Sequence, residues 1–154
     1  MSFSGNATKS STTLVINDGW WPDLAVAKFQ STYRMPTEYA EGMLVDGLVL
    51  AMAWANKELS AWRVSIEAAG TVEALDAVPA SQLAGESLLI VQYRKAVFCH
   101  AKSFLLQQYP TVNRREAANN EARESETTED KFLEYAQQAI ADFLGVGRVT
   151  VALI

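Results

Sequence analysis

Apolar residues recur at the three-to-four-residue spacing of helices in four stretches of the chain, and this pattern predicts an all-α protein. The expected fold is a small helical bundle of about four helices, one of them long, with extended arms at both ends. The predicted helices run over residues 24–34, 36–69, 86–109 and 128–144. A short strand is expected before the first helix, over Thr13–Ile16, where β-branched and aliphatic residues come together.

Local signals set the predicted helix ends. Asp23 is expected to cap the first helix, and Pro36 separates it from the second, because the residue before a proline avoids helical backbone angles. Gly70 ends the second helix, which would be about 50 Å long at 1.5 Å per residue. Gly42 and Gly47 weaken this helix and predict a bend or break near them.

The centre of the long helix is apolar on nearly all sides, whereas a surface helix carries one apolar stripe. Two interpretations are open. Either this helix is the central core helix, or it packs its own core on one side and another subunit on the other. In the second interpretation the subunit interface is formed by Met43, Leu44, Leu48 and Met52.

The segment 111–128 is predicted to be a long polar loop, because no large apolar residue follows Val112 within it. Thr127–Asp130 matches a capping box for the last helix. The chain then divides into a flexible N-terminal arm (1–19), a helical bundle (20–145) and a C-terminal extended arm (146–154). The aliphatic end of the C-terminal arm would be an aggregation hazard unless it packs on its own domain or pairs with a partner.

Composition and charge restrict the class of protein. A chain of 154 residues suits one domain, and 18 acidic against 13 basic side chains argue against a general nucleic-acid coat. The single cysteine excludes an intrachain disulfide and fits a reducing compartment. The polar N-terminus lacks the apolar run of a signal peptide, and the longest apolar stretch is shorter than the roughly 20 residues that span a bilayer.

The residues that carry chemistry elsewhere have structural explanations here. Cys99 and His100 are neighbours on a helix and point about 100° apart, so they cannot face each other as a nucleophile and base. Cys99 is expected to be a small core residue, and His100 to pack on the apolar stripe with one hydrogen bond. The acidic residues of 124–130 lie in the most polar region, where no burial would raise a carboxyl pKa. We therefore expect no enzyme activity, no metal site and no cofactor.

Four sequence elements together point to a known family. They are Trp20-Trp21-Pro22-Asp23, Ala77-Val78-Pro79-Ala80, Gly85-Glu86-Ser87, and the helix from Tyr93 to Tyr109 with its Leu105-to-Tyr109 spacing. From about residue 20 to the C-terminus, the chain resembles the head-completion protein family of tailed bacteriophages, the L-type protein of temperate contractile-tailed phages. Its two tryptophans stand where phenylalanine is expected in that family, which is a conservative change.

This resemblance implies a structural head–tail connector, or adaptor, with no cofactor and no membrane contact. Members are expected to form a homo-oligomeric ring of twelve copies beneath the portal protein, in the neck of the virion, after assembly in the bacterial host cytoplasm. The ring retains packaged DNA, which passes through without being tightly bound, and it presents the docking surface for the tail-side completion proteins.

Two regions are the candidates for these contacts. The C-terminal arm would grip the portal through Val149, Val151, Leu153 and Ile154. The polar loop would face the channel through Asn113, Arg114, Arg115, Glu116, Asn119 and Asn120. Arg114 and Arg115 would either touch phosphates or pair with nearby glutamates.

Two alternatives from other classes remain. The chain could be a small helical regulatory or binding module that acts as a dimer. It could also be an enzyme that uses Cys99.

Overall fold

The computed structural model describes residues 11–108 and 121–146, and for residues 121–127 it describes the backbone alone. The fold is mostly helical, as predicted. The helices are α1 (Val26–Thr32), α2 (Glu41–Glu58), α3 (Ser60–Ala69), α4 (Leu88–Gln108) and α5 (Glu121–Leu144). A 3₁₀ turn (Leu75–Ala77) and two antiparallel strand pairs, β1 (Leu14–Val15) with β2 (Leu24–Ala25) and β3 (Gln82–Leu83) with β4 (Glu86–Ser87), complete it.

The central helix is α4, which packs against α5 on one side and α2 on another. Its buried residues lie all around its axis, from Tyr93 to Leu106, and include Ala96–Cys99. Of the two interpretations of the predicted helix 36–69, the central core helix does not hold, because α4 takes that place in the described bundle. The sequence pattern did not indicate that α4 is the central helix, because Arg94 and Lys102 lie among its apolar positions. Each of these two cations has a partner within the fold.

The single helix predicted over 36–69 is also wrong, since the chain is not helical before Glu41 and breaks at Leu59. Neither predicted weak point, Gly42 or Gly47, is the break. Leu59 is fully buried at the corner between α2 and α3, and the turn there lets α3 carry Trp62 back to the core. Gly47 instead marks a close approach, because a Cβ at this position would lie 3.0–3.2 Å from the side-chain carbons of Leu105 in α4.

Three other boundaries differ from the predictions. Asp23 does not cap α1, because the N-cap residue of that helix is Ala25. The Asp23 carboxylate instead accepts a hydrogen bond from the backbone N–H of Asn17 at 2.7 Å. Residues 86–87 belong to β4, joined to β3 by a tight turn in which Ala84 and Gly85 both have positive φ. The backbone of α5 is helical from Glu121, so part of the predicted polar loop and the predicted capping box lie within a helix, which fits the helix-forming Glu, Ala and Arg residues there.

Candidate interaction surfaces

The tryptophan pair that carried the family resemblance lies in the core. Trp20 and Trp21 are 5% and 3% exposed, with ring centroids 4.6 Å apart in an edge-to-face arrangement. Trp21 stacks on Tyr93 of α4 at 5.0 Å, and Trp62 of α3 packs edge-on against Phe143 of α5 at 4.7 Å. This aromatic cluster joins the N-terminal segment, α3, α4 and α5, and its role is to hold the bundle together.

Asp18 fixes the backbone that presents this pair. Its carboxylate accepts hydrogen bonds from the backbone N–H groups of Trp20 and Trp21, both at 3.0 Å, and forms an ion pair with Arg63 at 2.8 Å. The Arg63 guanidinium lies 4.7 Å from the centre of the Trp20 ring. Burial alone would raise the pKa of Asp18, but the two N–H groups and the guanidinium together lower it.

A closed hydrogen-bond network lies beside the aromatic cluster. The side-chain amide of Asn17 donates to the Tyr93 hydroxyl at 2.8 Å, Tyr93 donates to Asn56 at 2.6 Å, and Asn56 donates back to Asn17 at 2.9 Å. Burial raises the pKa of Tyr93, so this hydroxyl stays protonated and can donate. The network ties Asn17 to α2 and α4, so this part of the predicted N-terminal arm is attached to the bundle.

Cys99 and His100 take the structural roles predicted for them, with one difference. Cys99 is buried, burial raises the pKa of its thiol, and its sulfur lies 3.6 Å from the Tyr33 hydroxyl. The His100 ring stacks on Trp54 of α2 at 4.3 Å, and burial lowers its pKa. The difference is that His100 Nδ1 has no hydrogen-bond partner among the described residues.

The four residues predicted to form a subunit interface lie on the inner face of α2. Leu44, Leu48 and Met52 are buried in this chain's own core, and Met43 is half-buried against it. They hold α2 on the bundle, and their contact with a second subunit stays a prediction. This placement follows from the position of α2, which has the core on one face only.

The outer face of α2 carries an apolar stripe that the sequence analysis did not select. Val49 is 47% exposed, Leu50 is 45% exposed and Ala53 is also exposed. Asp46 and Lys57 flank the stripe. The helical period already separates these positions from Leu44 and Leu48, so a helical projection anchored on the buried set would have found them.

The other predicted contact residues lie outside the described part of the chain. They are the six channel-facing residues between Asn113 and Asn120 and the four residues of the C-terminal arm between Val149 and Ile154.

The described residues include no group of three or more His, Cys, Asp or Glu side chains placed to hold a metal ion. No helix in the same part of the chain is both long enough and apolar enough to cross a membrane.

Comparison with known proteins extends over nearly the whole chain. The chain is 28% identical over 152 residues to a probable head completion/stabilization protein of Haemophilus phage HP1, covering 99% of both proteins. It is 27% identical over 141 residues to the head completion/stabilization protein of Escherichia phage P2, covering 92% of this chain and 83% of that one. No solved structure matches it. A sequence model for the phage head completion protein (GPL) matches residues 15–154, and the chain therefore belongs to the phage head completion protein (GPL) family.

Proposed function

We propose that this head completion protein forms a ring beneath the portal, retains packaged DNA and presents the surface on which the tail docks. The observation that carries the proposal is the end-to-end similarity to two proteins named for head completion and stabilization. A ring subunit needs two different lateral faces, since heterologous contacts close into a ring when the rotation allows. The exposed apolar stripe of α2 supplies a candidate for one of them.

The proposed portal contact is the C-terminal arm. In an extended segment successive side chains point to opposite faces, so Val149, Val151 and Leu153 would form one apolar edge. Such an edge suits strand addition to another protein, in which backbone hydrogen bonds give affinity and alternate side chains give specificity. The proposed lining of the channel is the segment 111–120, between α4 and α5.

Deleting residues 149–154 is expected to abolish binding to purified portal protein and to leave helix content unchanged. The reason is that the described bundle buries its core without these residues. Pull-down with portal measures the first effect and circular dichroism the second. The matched control replaces Thr150 and Ala152, on the opposite edge, with serine. Undiminished portal binding by the truncated chain would refute the arm as the contact.

Replacing Leu50 with aspartate is expected to prevent ring formation without lowering the melting temperature. A charge on an exposed position is tolerated by the free chain, but it is costly once a neighbour buries it. Native mass spectrometry of the chain mixed with portal protein measures ring formation. Val64→Asp is the matched control, because Val64 is more exposed, at 64%, and lies on α3.

Two results would contradict the lateral role of α2. One is normal ring formation by Leu50→Asp, and the other is equal impairment by Val64→Asp. A wild-type chain that forms only a discrete dimer and ignores portal would instead support the alternative of a dimeric helical module.

A further inference from the structure

Four cations of this acidic protein lie beside α4 and the segment that contains α1. The chain has a formal charge of -5, yet Lys28 of α1, Arg34 just after α1, and Lys95 and Lys102 of α4 form a group that we call the basic face. Lys95 and Lys102 both lie near the Cys99 thiol, and Arg34 lies near Lys102. Lys28 reaches the vicinity of Glu86, which lies just before α4.

Lys102 is held in an unusual position for a lysine. Its ammonium donates to the backbone carbonyl of Tyr33 at 2.5 Å and sits 4.5 Å from the centre of the Phe132 ring. Burial lowers the pKa of Lys102, and the neighbouring Arg34 lowers it further. The fold thus places two cations side by side, where an added anion would be stabilised by both.

Arg34 occupies a backbone position that favours glycine. It follows the C-cap residue of α1, with φ at +48°, and the next residue, Met35, donates from its N–H to the carbonyl of Gln30 at 3.1 Å. This is the Schellman arrangement, in which the left-handed residue is usually glycine. An exposed arginine here adds conformational strain without burying a side chain.

Two carboxylates of the neighbouring segments form ion pairs with cations outside the basic face. Glu86 makes a two-pronged pair with Arg94, both bonds at 2.8 Å, and Glu134 pairs with Lys131 at 3.4 Å. Among the residues that the structure describes, no carboxylate forms an ion pair with any of the four cations of the basic face. Lys28, Arg34 and Lys95 are exposed and can reach an external anion, whereas Lys102 is half-buried and already donates to the Tyr33 carbonyl.

We propose that the basic face binds the phosphodiester backbone of double-stranded DNA, an inference that rests on the proposed position of this protein at the head–tail channel. Lys95 and Lys102 lie seven residues apart on one face of α4, a rise of about 10 Å. That distance matches about three steps of 3.4 Å along one DNA strand. Four cations on a chain of negative net charge would give weak phosphate contacts that depend on salt and not on the DNA sequence. Such contacts retain the DNA but still let it slide.

The test is a titration of a fluorescein-labelled DNA duplex with the full chain, followed by fluorescence anisotropy at about 50 and about 200 mM salt. The test variant combines Arg34→Gly with Lys95→Gln, and the matched control is Lys57→Gln, which removes an exposed cation from α2. The test variant is expected to bind about tenfold more weakly at low salt. The slope of log affinity against log salt should fall by about 0.9 for each phosphate contact removed.

The single variant Arg34→Gly distinguishes a role of Arg34 in DNA binding from a role in folding. It should raise the melting temperature, because glycine adopts the positive φ freely, while it weakens duplex binding. A merely structural arginine would not produce this opposite pair of effects.

Three results would overturn the proposal. They are no saturable duplex binding by the wild-type chain at low salt, an equal loss of binding in Lys57→Gln, and binding of a poly-glutamate peptide as tight as that of the duplex. The last result would identify an acidic protein partner instead of DNA. All three results are measured without portal protein. Failure of the DNA-binding proposal is therefore distinguishable from failure of the proposed function, which is tested with portal.

Discussion

Replacing Trp21 with alanine is expected to lower the free energy of unfolding by about 3–5 kcal/mol, a large share of the roughly 5–15 kcal/mol of a typical domain. The indole is almost fully buried, stacks on Tyr93 and touches the rings of Trp20 and Trp62. Its removal leaves a cavity where four parts of the chain meet, and close-packed surroundings relax only partly into such a cavity. Urea denaturation, with the midpoint and slope determined together, measures the loss.

Trp21→Phe is the matched control for this prediction. It keeps a ring that can stack on Tyr93 and removes less volume, so the expected loss is smaller. A Trp21→Ala chain that unfolds at the same urea concentration as Trp21→Phe would show that the stack contributes little to the core.

Replacing Gly47 with valine is expected to destabilise the bundle by about 1–3 kcal/mol through overpacking. The Cβ alone would approach the side chain of Leu105 to 3.0–3.2 Å, and the two further methyl groups have to displace it. Leu105 is fully buried in α4, so it has no solvent to move into. Thermal unfolding of the variant measures the cost, which should appear although valine is a better helix former than glycine.

A double-mutant cycle tests the cause. Leu105→Ala alone should cost about 2–5 kcal/mol by leaving a cavity, and the combination with Gly47→Val should cost less than the sum, by about 1 kcal/mol. Strict additivity would contradict a direct contact between the two positions and would assign the loss to the helix backbone.

The elements of the fold could be predicted from the sequence wherever one local signal dominates. The helix that ends before Pro36, the strand that precedes it and the burial of Cys99 required only periodicity and backbone chemistry. The sequence predicted less well which face of each helix is buried. Leu44 and Leu50 are equally apolar in the sequence, but one lies in the core and the other on the surface.

Periodicity predicted a mostly helical protein and short motifs indicated its family, because both are properties of the chain itself. The central place of α4, the close approach at Gly47 and the turn at Leu59 became evident from the folded structure. The fold also brings Arg34 near Lys102, although they are distant in sequence. Burial and charge depend on which segments pack together, and pairings between distant segments leave no periodic signal in the chain.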